Sequence, residues 1–179
     1  MAVSIKQVAL KTIKLEAQSV SGLALNINDD FEKAVHAIAS SKGRVVVSGI
    51  GKSAVIAQKI VATFNSTGTP SIFMHAADAI HGDLGMIQQE DVVIIISKSG
   101  ESPEIKVLVP LIKNFGNILI GIVGSIDSYL AKNSALLLNT TVEQEACPNN
   151  LAPTSSTTAQ LVMGDALAVC LMELKGFQS

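Results

Sequence analysis

Tryptophan is absent from the 179-residue sequence, and aromatic residues make up only 3% of it. A chain so poor in rings has no platform on which nucleic-acid bases would stack. Basic runs are also missing, and the formal net charge is −2, which argues against a surface built to neutralise a nucleic-acid backbone or an acidic membrane. Cysteine is scarce: Cys147 and Cys170 stand far apart without metal-ligand spacing, and they read as free thiols of a reducing compartment. No uninterrupted apolar run is long enough to span a bilayer. The first twenty residues mix Lys6, Lys11, Lys14 and Glu16 among apolar positions at helical spacing, which is an amphipathic helix and not a signal peptide. A cytoplasmic protein with neither nucleic acid nor membrane as partner is expected. Repeats, low-complexity tracts and linkers are lacking too, so residues 1–179 read as one domain.

What is abundant is aliphatic. Hydrophobic residues make up 48% of the chain, enough for a large core without disulfides or metal. Helical spacing runs through Ile5, Val8, Thr12, Ile13 and Val20, and a second helix starts at about Asp29. From there apolar runs alternate with helical patterns. The runs are Val45–Ser48, Ser71–Met74, Val92–Ile96, Ile118–Val123 and Ala135–Leu138, and the helices between them include Ser102–Lys113 and a short one near Ser128–Lys132. A final helix covers about Thr154–Leu174. Continuous Val/Ile runs between helices predict a parallel sheet buried on both faces. Five such strands fit a flavodoxin-like three-layer α/β/α fold, whose ligands bind at the carboxyl ends of the strands.

The loops at those ends carry the chemistry. The first strand runs into Ser48-Gly49-Ile50-Gly51-Lys52-Ser53. A nucleotide-triphosphate loop would need a leading glycine where Val46 stands. A dinucleotide fingerprint, Gly49-x-Gly51-x-x-Ala54, would need an acidic residue ending the next strand, which instead ends near His75. A third reading is a glycine turn bringing a small phosphorylated ligand to a helix N-terminus, with Lys52 as cation and Ser53 as donor; a plain tight turn with a surface lysine stays open beside it. The third strand ends in Ser97-Lys98-Ser99-Gly100-Glu101-Ser102-Pro103. Ser102 and Pro103 read as N-cap and first helical residue, but capping leaves Ser97, Ser99 and Gly100 unexplained. Hydroxyls, free backbone N–H groups and a positive helix end together suit a monophosphate. A second hydroxyl cluster, Thr154-Ser155-Ser156-Thr157-Thr158, opens the last helix and exceeds the needs of one cap.

His75 and His81 flank the second strand's loop without the spacing of a zinc motif. His81 suits acid/base work, since its ordinary pKa lies near neutrality. Glu101, Glu104, Glu143 and Glu145 are the carboxylates of the active-edge loops. Glu145, beside Ala146-Cys147-Pro148, is expected to be desolvated, with a raised pKa that would make it a better base.

These runs, with Ser66-Thr-Gly-Thr-Pro70, His81-Gly-Asp-Leu-Gly85, Glu145-Ala-Cys-Pro148 and Leu151-Ala-Pro-Thr-Ser-Ser-Thr-Thr158, resemble the sugar isomerase (SIS) domain family and, within it, the arabinose-5-phosphate isomerase branch. The resemblance implies a five-stranded α/β domain with N-terminal helices, assembled as a homotetramer with shared sites and needing no metal or organic cofactor. It implies conversion between D-ribulose 5-phosphate and D-arabinose 5-phosphate through an enediol, on the route to Kdo and lipopolysaccharide. Lys52, His81, Glu104 and Glu145 match the family's functional positions. Gly49, Gly51, Ser53, Gly68, Thr69, His75, Ser97, Ser99, Ser102, Thr154, Ser155, Ser156 and Thr157 fall in its substrate-binding runs, and His75 also matches a site of inhibitory zinc. Family members continue into a His-Pro-Gly-Gly run with a functional histidine and then a CBS pair. Neither lies within this sequence, and a less active isomerase domain is the corresponding expectation. Lys98 stands where members of the branch usually carry Asn, which adds a cation beside the phosphate cradle. Two rival readings are a SIS domain that binds a sugar phosphate without converting it, and a SIS isomerase for another sugar phosphate.

Overall fold

Residues 4–176 are described by a computed structural model of the chain. Five parallel strands, β1 (Val45–Gly49), β2 (Ser71–His75), β3 (Val92–Ser97), β4 (Leu119–Val123) and β5 (Leu136–Asn139), lie in the order β2-β1-β3-β4-β5. Val45 pairs with Ser71 on one side and Val92 on the other, so all the strands finish at one rim. This is the order of the flavodoxin-like fold that the sequence predicts.

Each strand alternates its side chains between two cores, which is why unbroken apolar runs were needed. Val45, Val47, Val92, Ile94 and Ile96 pack with helices α2 (Asp29–Ser40), α3 (Lys52–Ser66) and α7 (Ser155–Lys175). Val46, Val93 and Ile95 face the other way, against α4 (Ala76–Ala79), α5 (Pro103–Phe115) and α6 (Tyr129–Asn133). Each fully buried Ile or Val contributes about 1.5–3 kcal/mol relative to exposure. The first helix, α1 (Ile5–Gly22), lies outside these layers against α7 and buries no residue of its own.

Helix ends follow local chemistry. Helix α2 starts at Asp29 as expected, and its cap is Asn28, whose Oδ1 accepts from the N–H groups of Asp30 and Phe31. Gly116, in the left-handed region at φ 81°, closes α5, as glycine does after a last helical turn. Helix α7 has the length and composition to cross a membrane, the only one to do so among the described residues. It is instead a core helix, with Ala159, Met163, Leu167 and Leu171 buried against α2 and α3. The short α4 and the 3-10 turn Asp83–Met86 were not foreseen; neither is long enough to show a period.

Candidate functional site

Three strand-to-helix junctions converge at the carboxyl rim. After β1 the chain turns through Ile50 and Gly51 into α3. Gly51 has φ 58° and ψ −129°, a conformation that side chains disfavour. A Cβ on Gly49 would lie 2.9 Å from the Ser53 backbone, so this glycine lets the helix start sit directly on the strand end. Lys52 opens α3, is exposed, and has no ion-pair partner among the described residues. Ser53 is buried, and its Oγ donates to Gln160 Oε1 at 3.1 Å. The hydroxyl expected to donate to a ligand therefore ties α3 to α7.

After β3 the loop folds on itself. The Gly100 N–H donates to Ser97 Oγ at 2.9 Å, the Glu101 N–H donates to Ser99 Oγ at 3.3 Å, and Gly100 O accepts from the Leu130 N–H at 3.1 Å. Glu101 is held by Lys106 at 2.7 Å and by the Tyr129 N–H at 2.6 Å. Those bonds keep its carboxyl below the ordinary range, and they make it a strut between the loop and α6. Ser102 occupies the N-cap position of α5, but its hydroxyl makes no cap bond and has no protein partner, although it is enclosed. The capping role expected of it is therefore absent.

The third junction is the start of α7. Thr154 stands at its N-cap position without capping by its own side chain. Glu145 does that work from the preceding loop: its Oε2 accepts from the N–H groups of Thr154 and Ser156 at 2.8 and 3.1 Å, and from Thr154 Oγ1 at 3.2 Å. Its Oε1 accepts from Ser156 Oγ at 2.5 Å and from Lys98 Nζ at 2.6 Å. Burial pushes this carboxyl up, as the sequence suggested. The hydrogen bonds from Lys98, the Ser156 hydroxyl and the two N–H groups outweigh it and hold the pKa at about 2. The raised pKa expected for Glu145 is thus reversed, because desolvation was weighed without the donors that surround the group. The Thr157 and Thr158 hydroxyls reach back to Thr154 O at 2.9 and 3.0 Å, and the Ser155 hydroxyl is buried without a partner.

A cavity of about 280 Å³ lies between these junctions, lined by Ile50, Lys52, Ser53, Ser97, Lys98, Ser99, Ser102, Ser156, Thr157 and Gln160. Gln160 was missed in the sequence; its signal is an amide inside the apolar stripe of α7, where it is buried. Other expected residues lie elsewhere. Glu104 is half-buried in the first turn of α5, outside the lining. His81 is exposed beyond β2, its N–H donating to Asp78 O at 2.9 Å. His75 ends β2 with Nδ1 enclosed and 3.8 Å from Asp78 Oδ2, and no cluster of three metal-type side chains occurs among the described residues. Gly68 and Thr69 precede β2, at the opposite rim. Gly68, at φ 80°, makes the turn there, so within one chain this pair does not line the cavity. A larger cavity, about 740 Å³, separates α1 from the ends of β4 and β5 and includes Glu143, but it holds none of the hydroxyl clusters.

The SIS domain pattern matches residues 37–170. The chain belongs to the SIS domain family. Its relatives include arabinose 5-phosphate isomerase KdsD of Pseudomonas aeruginosa, 54% identical over 169 residues, covering 94% of this chain and 52% of that protein. The Escherichia coli arabinose 5-phosphate isomerase KdsD is 49% identical over 172 residues, 96% of this chain and 52% of the relative. The chain spans about half the length of these relatives. A solved Escherichia coli structure in complex with arabinose 5-phosphate superposes with a TM-score of 0.93 at 42% identity, covering 97% of this chain and 93% of the other. The five-stranded parallel sheet of this SIS domain accords with that match.

Proposed function

We propose that the chain is the isomerase domain of an arabinose-5-phosphate isomerase, interconverting D-ribulose 5-phosphate and D-arabinose 5-phosphate. One observation carries the reading. The rim cavity is walled by two hydroxyl clusters and two lysines, at the starts of helices α3, α5 and α7, which suits a small phosphate monoester. The complex of its structural relative with arabinose 5-phosphate supplies the substrate class.

In the open-chain sugar one proton moves between C1 and C2 through a cis-enediolate while the hydroxyl proton passes between O1 and O2, with no change in overall composition. A carboxylate takes the proton and returns it to the neighbouring carbon; Glu104 and Glu145 are the candidates. Lys52, without a carboxylate partner among the described residues, stabilises the developing negative charge on the enediolate oxygens. His81 assists ring opening. No metal or organic cofactor enters this scheme, and inhibitory zinc at His75 is a separate event. A cytoplasmic step towards Kdo and lipopolysaccharide is the pathway role consistent with the relatives.

The assembly proposed is a homotetramer with shared sites. Two observations support it: His81, Gly68 and Thr69 lie away from the cavity of their own chain, and α1 leaves Ile5 and Ile13 84% and 67% exposed. The test is proton NMR of D-arabinose 5-phosphate with the chain in deuterated buffer. Ribulose 5-phosphate should appear, with deuterium entering at C2 of the aldose. Binding without conversion or exchange would mark a sugar-phosphate-binding domain, and conversion only of a different sugar phosphate would reassign the substrate.

A further inference from the structure

The pair Lys98–Glu145 is asymmetric. The Glu145 side chain is wholly buried, whereas that of Lys98 is 47% exposed and lines the cavity. The carboxylate is not among the lining groups, whereas Lys98 and Ser156, which both donate to it, are. A ligand entering the site meets the ammonium and the Ser156 hydroxyl, and not the carboxylate behind them.

An ammonium has three N–H donors. One is committed to Glu145 Oε1, and the rest remain for the cavity. An unanchored lysine must give up about 2 kcal/mol of rotamer freedom when it grips a ligand; Lys98 is already held. The opposing charge of Glu145 weakens the local field less than its formal value suggests, since the Thr154 and Ser156 N–H groups at the start of α7 also neutralise it. The enclosed, unpartnered Ser102 hydroxyl in the lining of the same cavity is a ready companion donor.

We infer that Lys98 is a preset ligand of the substrate's phosphate and that Glu145 is its positioning residue, fixing Lys98 and the α7 start instead of carrying the substrate proton. The inference rests on reading the cavity as a sugar-phosphate site, and it leaves proton transfer to Glu104.

The test titrates D-arabinose 5-phosphate and inorganic phosphate by calorimetry against the unaltered chain, K98M, K98R, E145Q and the double variant K98M/E145Q, with steady-state kinetics alongside. K98M should weaken both ligands about tenfold, about 1.4 kcal/mol, and raise KM by more than it lowers kcat. K98R should restore most of the affinity. E145Q should weaken phosphate binding too, the double variant binding no more weakly than K98M alone, because the two residues act as one unit. E145Q should also leave the acidic limb of the kcat–pH profile in place. Inorganic phosphate bound equally well by K98M and the unaltered chain would overturn the role of Lys98. A loss of a thousandfold or more in kcat for E145Q, with phosphate affinity unchanged, would overturn that of Glu145 and make it the proton carrier. If E145Q fails to fold by circular dichroism, the kcat–pH profile of K98M decides for Glu145. An unchanged acidic limb supports the positioning role, and a limb displaced upward on losing the cation overturns it. If the chain binds sugar phosphates without converting arabinose 5-phosphate, the isomerase reading fails, whereas the calorimetric comparison still decides whether Lys98 binds phosphate; an acidic limb in the binding of arabinose 5-phosphate that E145Q leaves in place supports the positioning role, and one that moves overturns it.

Discussion

Glu145 accepts from two backbone N–H groups, two hydroxyls and an ammonium while almost wholly buried. Such a carboxylate belongs to the fold as much as to the site. Its folded pKa, about 2, lies below its ordinary 4.5, so its stabilisation is fully present above the ordinary value and is lost as pH falls from there towards 2. The amount at stake is about 3 kcal/mol. Urea unfolding of the unaltered chain and of E145Q should therefore differ by about this amount at pH 6, and the gap should narrow below pH 4.5 and shrink to about a quarter of it by pH 2.5. A gap independent of pH would mean that lost packing, and not the charge, is what E145Q removes. Ser128 and Ser102 show a contrast at the same scale. Both stand at N-cap positions, of α6 and α5, yet the Ser128 hydroxyl accepts from the Ala131 N–H at 3.3 Å and that of Ser102 accepts nothing.

At the scale of elements, α3 and α7 pack together at Gly164, where an added Cβ would collide with the Ile60 side chain. Alanine there gains about 1 kcal/mol of helix propensity but overpacks a buried seam, at a cost of about 1–3 kcal/mol. Gly164→Ala should thus lower the unfolding midpoint in a thermal melt; a raised midpoint would show that Ile60 can move aside. The strands were legible in the sequence because runs such as Val92–Ile96 must be apolar on both faces, and their helices because long periods are hard to mistake. The cradle loops were legible from their hydroxyls and glycines. Other features were not. Glu145 meets Lys98 only through the tertiary fold, so a local reading assigned burial its full effect and the donors none. Ser53 likewise looked like a ligand donor, since Gln160, its actual partner, is distant in sequence. The positions of Gly68 and Thr69 at the far rim follow from strand direction, which a motif match does not weigh.

For the whole molecule, the feature that matters most is α1, which packs on α7 but has no fully buried residue. A homotetramer would remove part of its apolar surface from water. Sedimentation equilibrium should then give a mass near four times the 18.7 kDa of one chain, and Ile13→Glu should shift it to smaller species. A single-chain mass for the unaltered protein would sink the assembly and the shared sites with it. The two rims of the sheet, meanwhile, are built on separate supports. At the amino rim, buried Asp91 accepts from the Arg44 and Gln88 N–H groups, and Asn117 Nδ2 donates to the Gln88 and Asp91 carbonyls. Strands of four to six residues keep that support about 13–20 Å from the cavity. In evolutionary terms, one edge serves as foundation and the other as workshop. A lineage can rewrite Lys98 to try a new ligand without first disturbing the supports of the amino rim. Lys98 is the safer residue to change first. A loss of Glu145 would strand the α7 start, whereas a loss of Lys98 leaves the carboxylate with its four other donors.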